Sequence, residues 1–555
     1  MKKGLVLFLL ILIFLESLWV RVIDTDKSPS SLGFDEAGLG YNAYSLLNTG
    51  KDEWGYKLPL SLRSFNDYKP ALYSYFSIPI MNLFGLSQSS TRAVSAIAGS
   101  LSVIFWILIF RKVTGSGWGV SLIAGGLFSL LPWRIHFSRV ALETNLSAAC
   151  FSLMILGLIF YQKKWGKFIT VLGGVLAIYS YHSARMAAPI LIALVILDPL
   201  GVGLKRMWAQ RIRIAKSMFP ILVIVLLSLP IFNSGFGVMN RFSATNIFAK
   251  LYPYAPTEIV GMERPFLNLT NNPVYYLTGM LFGRVAAYVS PRNLLETSYH
   301  WVMKSAMVIP DNGMFGYWGV FFFVLGIVPF LREFTKKKEF RLIFYWIMAG
   351  ALPAAVTWEW YHPFRSLNLF PALEIIAGLG LVLMLDLLRK ISNSVLRVAL
   401  YTVFICITAT TLIFNLANEL GYSAWLNNGE FQPGGYKEGA ATLRKLFDKY
   451  PIVYVDTPHA QSHIFFMFYL PIDPVIIQNV DRKYHLEDGM SDRVFNFDKF
   501  VYKKYDWPND KFKHNFIYWT SSEVKEDGLL ETPGAKLYKV YDSFGRWTVS
   551  IITKD

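Results

Sequence analysis

The sequence predicts a polytopic α-helical membrane protein of about eleven transmembrane helices, with a soluble α/β domain at its C-terminal end. Three observations carry that prediction. Of 555 residues, 54% are hydrophobic, 16% aromatic and only 17% charged, and the mean hydropathy is +0.37. The apolar residues gather into runs near the ~20 residues a helix needs to cross about 30 Å of hydrocarbon. The cations behind the net charge of +16 fall in short segments between those runs. Nucleic-acid binding would need that charge on one folded face, so this class has no support beyond the charge itself.

The first run, "GLVLFLLILIFLESLWV", follows Lys2 and Lys3 and imitates a secretory signal, but Trp19 and Arg21 stand where small residues would mark cleavage. It reads as a span over 4–23. Further spans fall at 92–110, 118–133, 145–161, 168–184, 187–204, 217–233, 316–331, 342–357, 366–388 and 398–415. With the N-terminus cytoplasmic, Arg111 and Lys112, then Lys163, Lys164 and Lys167, then the cations of 205–216, 332–341 and 389–397 all share the inner side. That is the positive-inside pattern of a multi-pass plasma-membrane protein. One shorter run at 71–86, behind Lys69 and Pro70, breaks the alternation if it spans; it reads as a juxtamembrane helix lying in the outer interface.

The outer segments are then 24–91, two short turns at 134–144 and 180–187, a long loop at 234–315, a short one at 358–365, and residues 416–555. The chain divides into a membrane domain, 1–415, and an extracytoplasmic domain, 416–555, in which "PIVYVDT", "KFVYKKY", "NFIYWTS", "AKLYKVYD" and "WTVSIIT" have strand character and "GYKEGAATLRKLFDKY" helical spacing. Cys150 and Cys406 are far apart inside spans, so they suggest neither a disulfide nor a metal site. No Gly-rich phosphate loop, HExxH or GxSxG motif occurs; the expectation is no cofactor and no assigned metal ligand, although a divalent ion is not excluded.

The informative residues are polar groups at the outer ends of spans: Asp35, Glu36, Lys69, His136, Arg139, Glu143, His182, Arg185, His362 and Arg365. In "GFDEAGLGYNAYSLLNTG" Asp35 opens a helix that Gly50 would stop, and as an N-cap it would contribute about 1 kcal/mol. The positive helix end also favours a charged carboxylate there. Glu143 begins a span, where an unpartnered carboxylate costs a few kcal/mol. "YHSAR" and "YHPFR" each place a His three residues before an Arg at a span end. Those arginines read either as interfacial anchors or, with Lys69, as a cradle for phosphate.

Residues 31–145 resemble the GT-C glycosyltransferases, and within them the protein O-mannosyltransferase and aminoarabinose transferase group, glycosyltransferase family 39-like. The likeness rests on the Asp-Glu pair in the first outer loop, the Lys-Pro before a second short helix in "DYKPALYSYFSIPIMNLFG", and an acid after "RVAL"; it extends through "HPFRSLNLFPALEIIAGLG". The resemblance implies a mannosyltransferase-like enzyme that moves a sugar from a polyprenyl-phosphate donor to a hydroxyl of a protein, lipid or glycan, with inversion, outside the membrane. It implies that Asp35 is the general base, that Glu36 positions acceptor or sugar, and that Glu143 is the second acid. Lys69 would contact the donor phosphate, with Arg139, Arg185 and Arg365 as phosphate partners and Tyr41, His136, His182 and His362 as substrate contacts. Gly38 and Tyr68 stand where the aminoarabinose transferases carry Arg and Glu, which counts against that specificity. The rival readings are a lipid-linked sugar flippase and a non-catalytic envelope scaffold.

Overall fold

A computed structural model describes residues 1–65, 67–202, 219–233, 273–295, 313–357, 361–422, 433–456, 461–480, 496–503, 513, 515–521, 533–542 and 545–555. The first run folds as α1 (Lys3–Val22), 20 residues and so about 30 Å long. Arg21, read from the sequence as an argument against cleavage, fastens the end of this helix. Its guanidinium donates to the Ser17 carbonyl and hydroxyl at 2.7 Å and to the Ser129 carbonyl at 2.8 Å.

Between α1 and the next long helix lie α2 (Phe34–Thr49), a hairpin of β1 (Ser61–Ser64) and β2 (Asp67–Pro70), and α3 (Leu72–Phe84). Gly50, at φ +68°, stops α2 where the sequence predicted. The hairpin register sets Leu62 opposite Lys69. At 13 residues α3 is about 20 Å long, too short to cross a bilayer. Its last turn carries Leu83 and Phe84 at 74% and 75% exposure, as the expected interfacial helix requires.

The helices that follow are α4 (Gln88–Thr114), α5 (Trp118–Phe128), α6 (Pro132–His136), α7 (Glu143–Ile159), α8 (Lys164–Ser180) and α9 (His182–Leu197). The run expected to cross at 118–133 is broken before Pro132, which starts α6 because it has no N–H to continue the preceding helix. Helices Phe219–Asn233, Gly316–Phe334, Lys338–Ala355, Phe370–Arg389 and Ser394–Ala417 complete the apolar segments read from the sequence. The chain is a multi-pass membrane protein, with 6 helices among the described residues long and apolar enough to cross by length and composition. The larger expected total rests on shorter helices such as Trp118–Phe128 and Glu143–Ile159.

The segment 234–315, expected as a loop, contains a further helix, Pro273–Val289. Arg284 hid it from a hydropathy reading; in the fold its guanidinium donates to the Thr357 carbonyl, and Tyr288 packs against Tyr361 with ring centroids 5.1 Å apart. A short helix, Pro291–Leu295, follows it, and 234–272 and 296–312 of that expected loop, together with the basic segment 205–216, lie outside the described residues.

In the C-terminal domain, β3 (Ile452–Asp456), β4 (Phe500–Tyr502), β5 (Phe516–Ser521), β6 (Ala535–Tyr541) and β7 (Trp547–Lys554) form one sheet in the order β4-β3-β5-β7-β6. The strand β3 runs parallel to β4 and β5, whereas β7 is antiparallel to β5 and β6. The predicted helix before β3 is Tyr436–Leu446, and two more, His463–Tyr469 and Pro474–Gln478, lie in the β3 to β4 crossover.

The crossover helices pack against α2. One hydrophobic cluster joins Leu32, Ala37, Tyr41 and Phe65 to Phe465, Phe466, Phe468 and Trp519. A Cβ at Gly40 would lie 2.6 Å from a Phe468 ring carbon and 2.7 Å from the Thr91 hydroxyl, so only glycine lets α2 fit between the C-terminal domain and α4. The amphipathic helix read from the sequence is therefore buried on both faces.

Candidate active site

The first turn of α2 divides the Asp-Glu pair. The N-cap is Gly33 rather than Asp35, and Glu36 makes the cap contact, accepting the Gly33 N–H at 3.0 Å. The same carboxylate accepts from Arg92 Nε at 2.9 Å and Nη2 at 3.1 Å, and from the Ala141 N–H at 2.7 Å. Arg92 spends its other donors on the carbonyls of Thr25, Pro29 and Ser31. Glu36, expected to position acceptor or sugar, is buried and holds α2, α4 and the segment leading into α7 together.

Asp35, one residue earlier, is turned about 100° around the helix and its side chain is 33% exposed. It forms an ion pair with Lys69, whose side chain is only 8% exposed at the end of the hairpin. Burial alone would pull the Lys69 ammonium down, but Asp35, then Glu143 and Asp67, outweigh it, and the pKa ends above the ordinary lysine value. Lys69 is thus a fixed cation with Asp35 in contact and the Glu143 carboxylate within electrostatic range. Among the residues predicted from sequence, these three are brought together.

A second group adjoins them. The Phe364 ring lies 5.8 Å from Tyr181 and 6.0 Å from His362, joining the start of α9, with His182 and Arg185, to the 3₁₀ turn Pro363–Leu369, which holds Arg365. Asn368 reaches Ser183 at 3.3 Å, and Ser147, one turn beyond Glu143, reaches Asn368 at 3.4 Å. The starts of α7 and α9 and the turn at 363–369 therefore share one neighbourhood. The His362 N–H is taken by the Tyr288 hydroxyl at 3.0 Å, which ties the unanticipated helix to the same place.

Three predicted contacts are engaged elsewhere. Arg139 donates to the Val20 and Ser28 carbonyls, both at 2.8 Å, because its loop folds back over the end of α1. His136 Nδ1 meets the Glu419 carboxylate at 3.0 Å, with both groups buried. The Tyr41 hydroxyl donates to the Ile472 carbonyl at 2.9 Å in the C-terminal domain.

Sequence reading also passed over two buried acids. Glu374 accepts from Arg134 Nε at 2.7 Å and Nη2 at 2.6 Å and from Trp133 at 2.7 Å, so a charged lock lies inside an apolar segment. Glu53 accepts from Asn42 at 3.2 Å and Ser64 at 2.8 Å beneath α2. Glu374 interrupts an apolar helix and Glu53 stands in a short polar break, but the partners of both lie on other elements, so spacing alone gives no signal. Among the described residues, no group of three or more His, Cys, Asp or Glu side chains is placed to hold a metal ion.

The helical bundle with its C-terminal sheet domain resembles solved structures in fold. ArnT from Cupriavidus metallidurans, in the apo state, aligns over 98% of this chain and 97% of its own at 14% identity and TM-score 0.51. The same protein bound to undecaprenyl phosphate aligns over 99% and 97% at 13% identity and TM-score 0.51. The apo oligosaccharyltransferase of Archaeoglobus fulgidus aligns over 84% of this chain at 16% identity and TM-score 0.50, and the chain spans 64% of that protein's length. The fold is that of the GT-C membrane glycosyltransferases. No family model and no curated protein matches the sequence.

Proposed function

We propose that this chain is an integral membrane glycosyltransferase that moves a sugar, in a mannosyltransferase-like reaction, from a polyprenyl-phosphate donor to a hydroxyl of a protein, lipid or glycan acceptor. The Asp35–Lys69 pair, with the charge of Glu143 bearing on the same lysine, is the observation that carries the reading. The undecaprenyl phosphate bound by ArnT supports a lipid-phosphate donor. The reading places the site on the outer face of the plasma membrane, with the N-terminus cytoplasmic.

Asp35 is exposed enough to meet an acceptor hydroxyl and takes its proton as the oxygen attacks the anomeric carbon. The bond from that carbon to the phosphate oxygen breaks on the opposite face, which inverts the centre and releases polyprenyl phosphate. Lys69, with Arg185 and Arg365, stabilises the charge that develops on the leaving oxygen, and loss of one such donor typically costs about 100-fold in rate. Donor phosphate competes with Asp35 for Lys69, so donor binding frees the carboxylate to act as base. Glu143 bounds the sugar side of the site. The chemistry draws on no cofactor.

The test offers purified protein a panel of labelled polyprenyl-phosphate sugars with a membrane extract as acceptor, comparing wild type with Asp35→Asn. Transfer of one sugar by the wild type and its loss in the variant are expected. Equal transfer by the two removes Asp35 from the base role, and movement of sugar-lipid across the bilayer without transfer would instead support a flippase.

A further inference from the structure

We propose that Phe65 is a positioning residue through which the C-terminal domain sets the Lys69 ammonium, an inference that rests on Lys69 being the donor-phosphate cation. Phe65 follows β1 in the hairpin turn at φ +53°, a conformation a bulky side chain holds only when its surroundings impose it. Those surroundings come from three parts of the chain.

On one side the Phe34 ring, whose residue directly precedes Asp35, meets Phe65 edge to face, with centroids 5.4 Å apart and planes at 89°. On another, His463 meets it at 5.9 Å and 68°. His463 opens the crossover helix His463–Tyr469 of the C-terminal domain and is buried. Lys69 Nζ lies 5.3 Å from the centre of the same ring, within the range at which an aromatic face attracts a cation. A Cβ at Gly38 would lie 3.5 Å from the Phe65 ring, so α2 is bare where that ring seats.

A continuous set of contacts therefore runs from His463 through Phe65 to Lys69 and on to Asp35. The domain itself is seated by Tyr41 on Ile472 and by Gln478, whose amide donates to the Ser45 and Thr49 hydroxyls at 3.0 and 2.9 Å. The burial that would weaken the Lys69 charge is created partly by this ring, and the ring's electron-rich face partly compensates for it. Phe65 touches no reacting atom; it fixes where the cation stands.

The experiment measures equilibrium binding of polyprenyl phosphate, and of the phosphate-free polyprenol, to the full-length protein in lipid nanodiscs. Wild type is compared with Lys69→Ala, Phe65→Leu, Phe65→Tyr, His463→Leu and the Phe65→Leu/His463→Leu double variant. Phe65→Leu is expected to weaken polyprenyl phosphate about tenfold and leave polyprenol unchanged, and Phe65→Tyr to restore binding. His463→Leu is expected to weaken binding in the same sense, with no further loss on top of Phe65→Leu.

If Lys69→Ala weakens binding while Phe65→Leu does not, or if Phe65→Leu weakens polyprenol equally, the positioning role is overturned and the donor reading stands. Independent, additive losses for Phe65 and His463 overturn the link to the C-terminal domain. If wild type and Lys69→Ala bind alike, the reading of Lys69 fails and this inference with it. His463→Leu leaves the hairpin sequence intact and carries the test should Phe65→Leu not fold.

Discussion

Two acid–base pairs begin from neighbouring residues of one helix turn, and their fates differ. Glu36 and Arg92 are both buried, and between them they use backbone groups at Gly33, Ala141, Thr25, Pro29 and Ser31. Asp35 and Lys69 have one buried member and one half-open to solvent. Saturation is the mark of a structural lock, because no bond is left for a substrate to claim. Partial exposure of a single carboxylate beside a fixed cation leaves bonds that a ligand can replace, which is what the proposed site requires.

The largest effect that would break this comparison belongs to Arg92. Arg92→Met strands Glu36 in the interior and is expected to cost about 3–5 kcal/mol, read as loss of folded protein in thermal unfolding in detergent. Asp35→Asn should do the reverse, lowering transfer by about 100-fold or more while the unfolding temperature stays within a few degrees of wild type. Should Asp35→Asn unfold the protein and Arg92→Met leave it folded, the assignment of lock and site is reversed.

Next comes Gly40→Ala, which forces a methyl against Phe468 and Thr91 and is expected to destabilise by about 1–3 kcal/mol, with a limited loss of transfer that follows stability. The pH profile sharpens the comparison further. The Lys69 pKa is raised on folding, so its contribution is full below the ordinary lysine value of about 10.4 and is lost as pH rises through the higher folded value. Donor binding should therefore show no Lys69-dependent decline between pH 7 and 9; a decline there that Lys69→Arg abolishes would contradict it. The smallest effect is at the exposed Arg389–Asp386 pair, where Asp386→Ala should change stability by less than about 1 kcal/mol.

The apolar segments were legible because a bilayer selects long hydrophobic runs, and Asp35, Lys69 and Glu143 stood out as candidates because charged residues at span ends are costly without a partner. The division of labour between Asp35 and Glu36 was not. Adjacent residues on a helix point about 100° apart, and which one turns inward depends on Arg92, which sequence shows only as the start of the next span. The partners of Arg139 and His136 were hidden for a related reason: Val20, Ser28 and Glu419 are remote in the chain. The helix Pro273–Val289 was hidden by Arg284, whose hydrogen bond to Thr357 cannot be inferred from hydropathy.

The packing of α2 between α4 and the crossover helices also has a consequence in time. During synthesis the helix that bears Asp35 emerges early, but the Ile472 carbonyl that receives its Tyr41 hydroxyl is made 431 residues later. Until that stretch has been made and has formed its sheet, Ala37 and Tyr41 have no apolar cover on that side, and the hairpin has no His463 beside Phe65. A nascent chain thus carries both residues of the Asp35–Lys69 pair long before it can hold them in register, and the sheet domain made later supplies the packing that the early segment lacks.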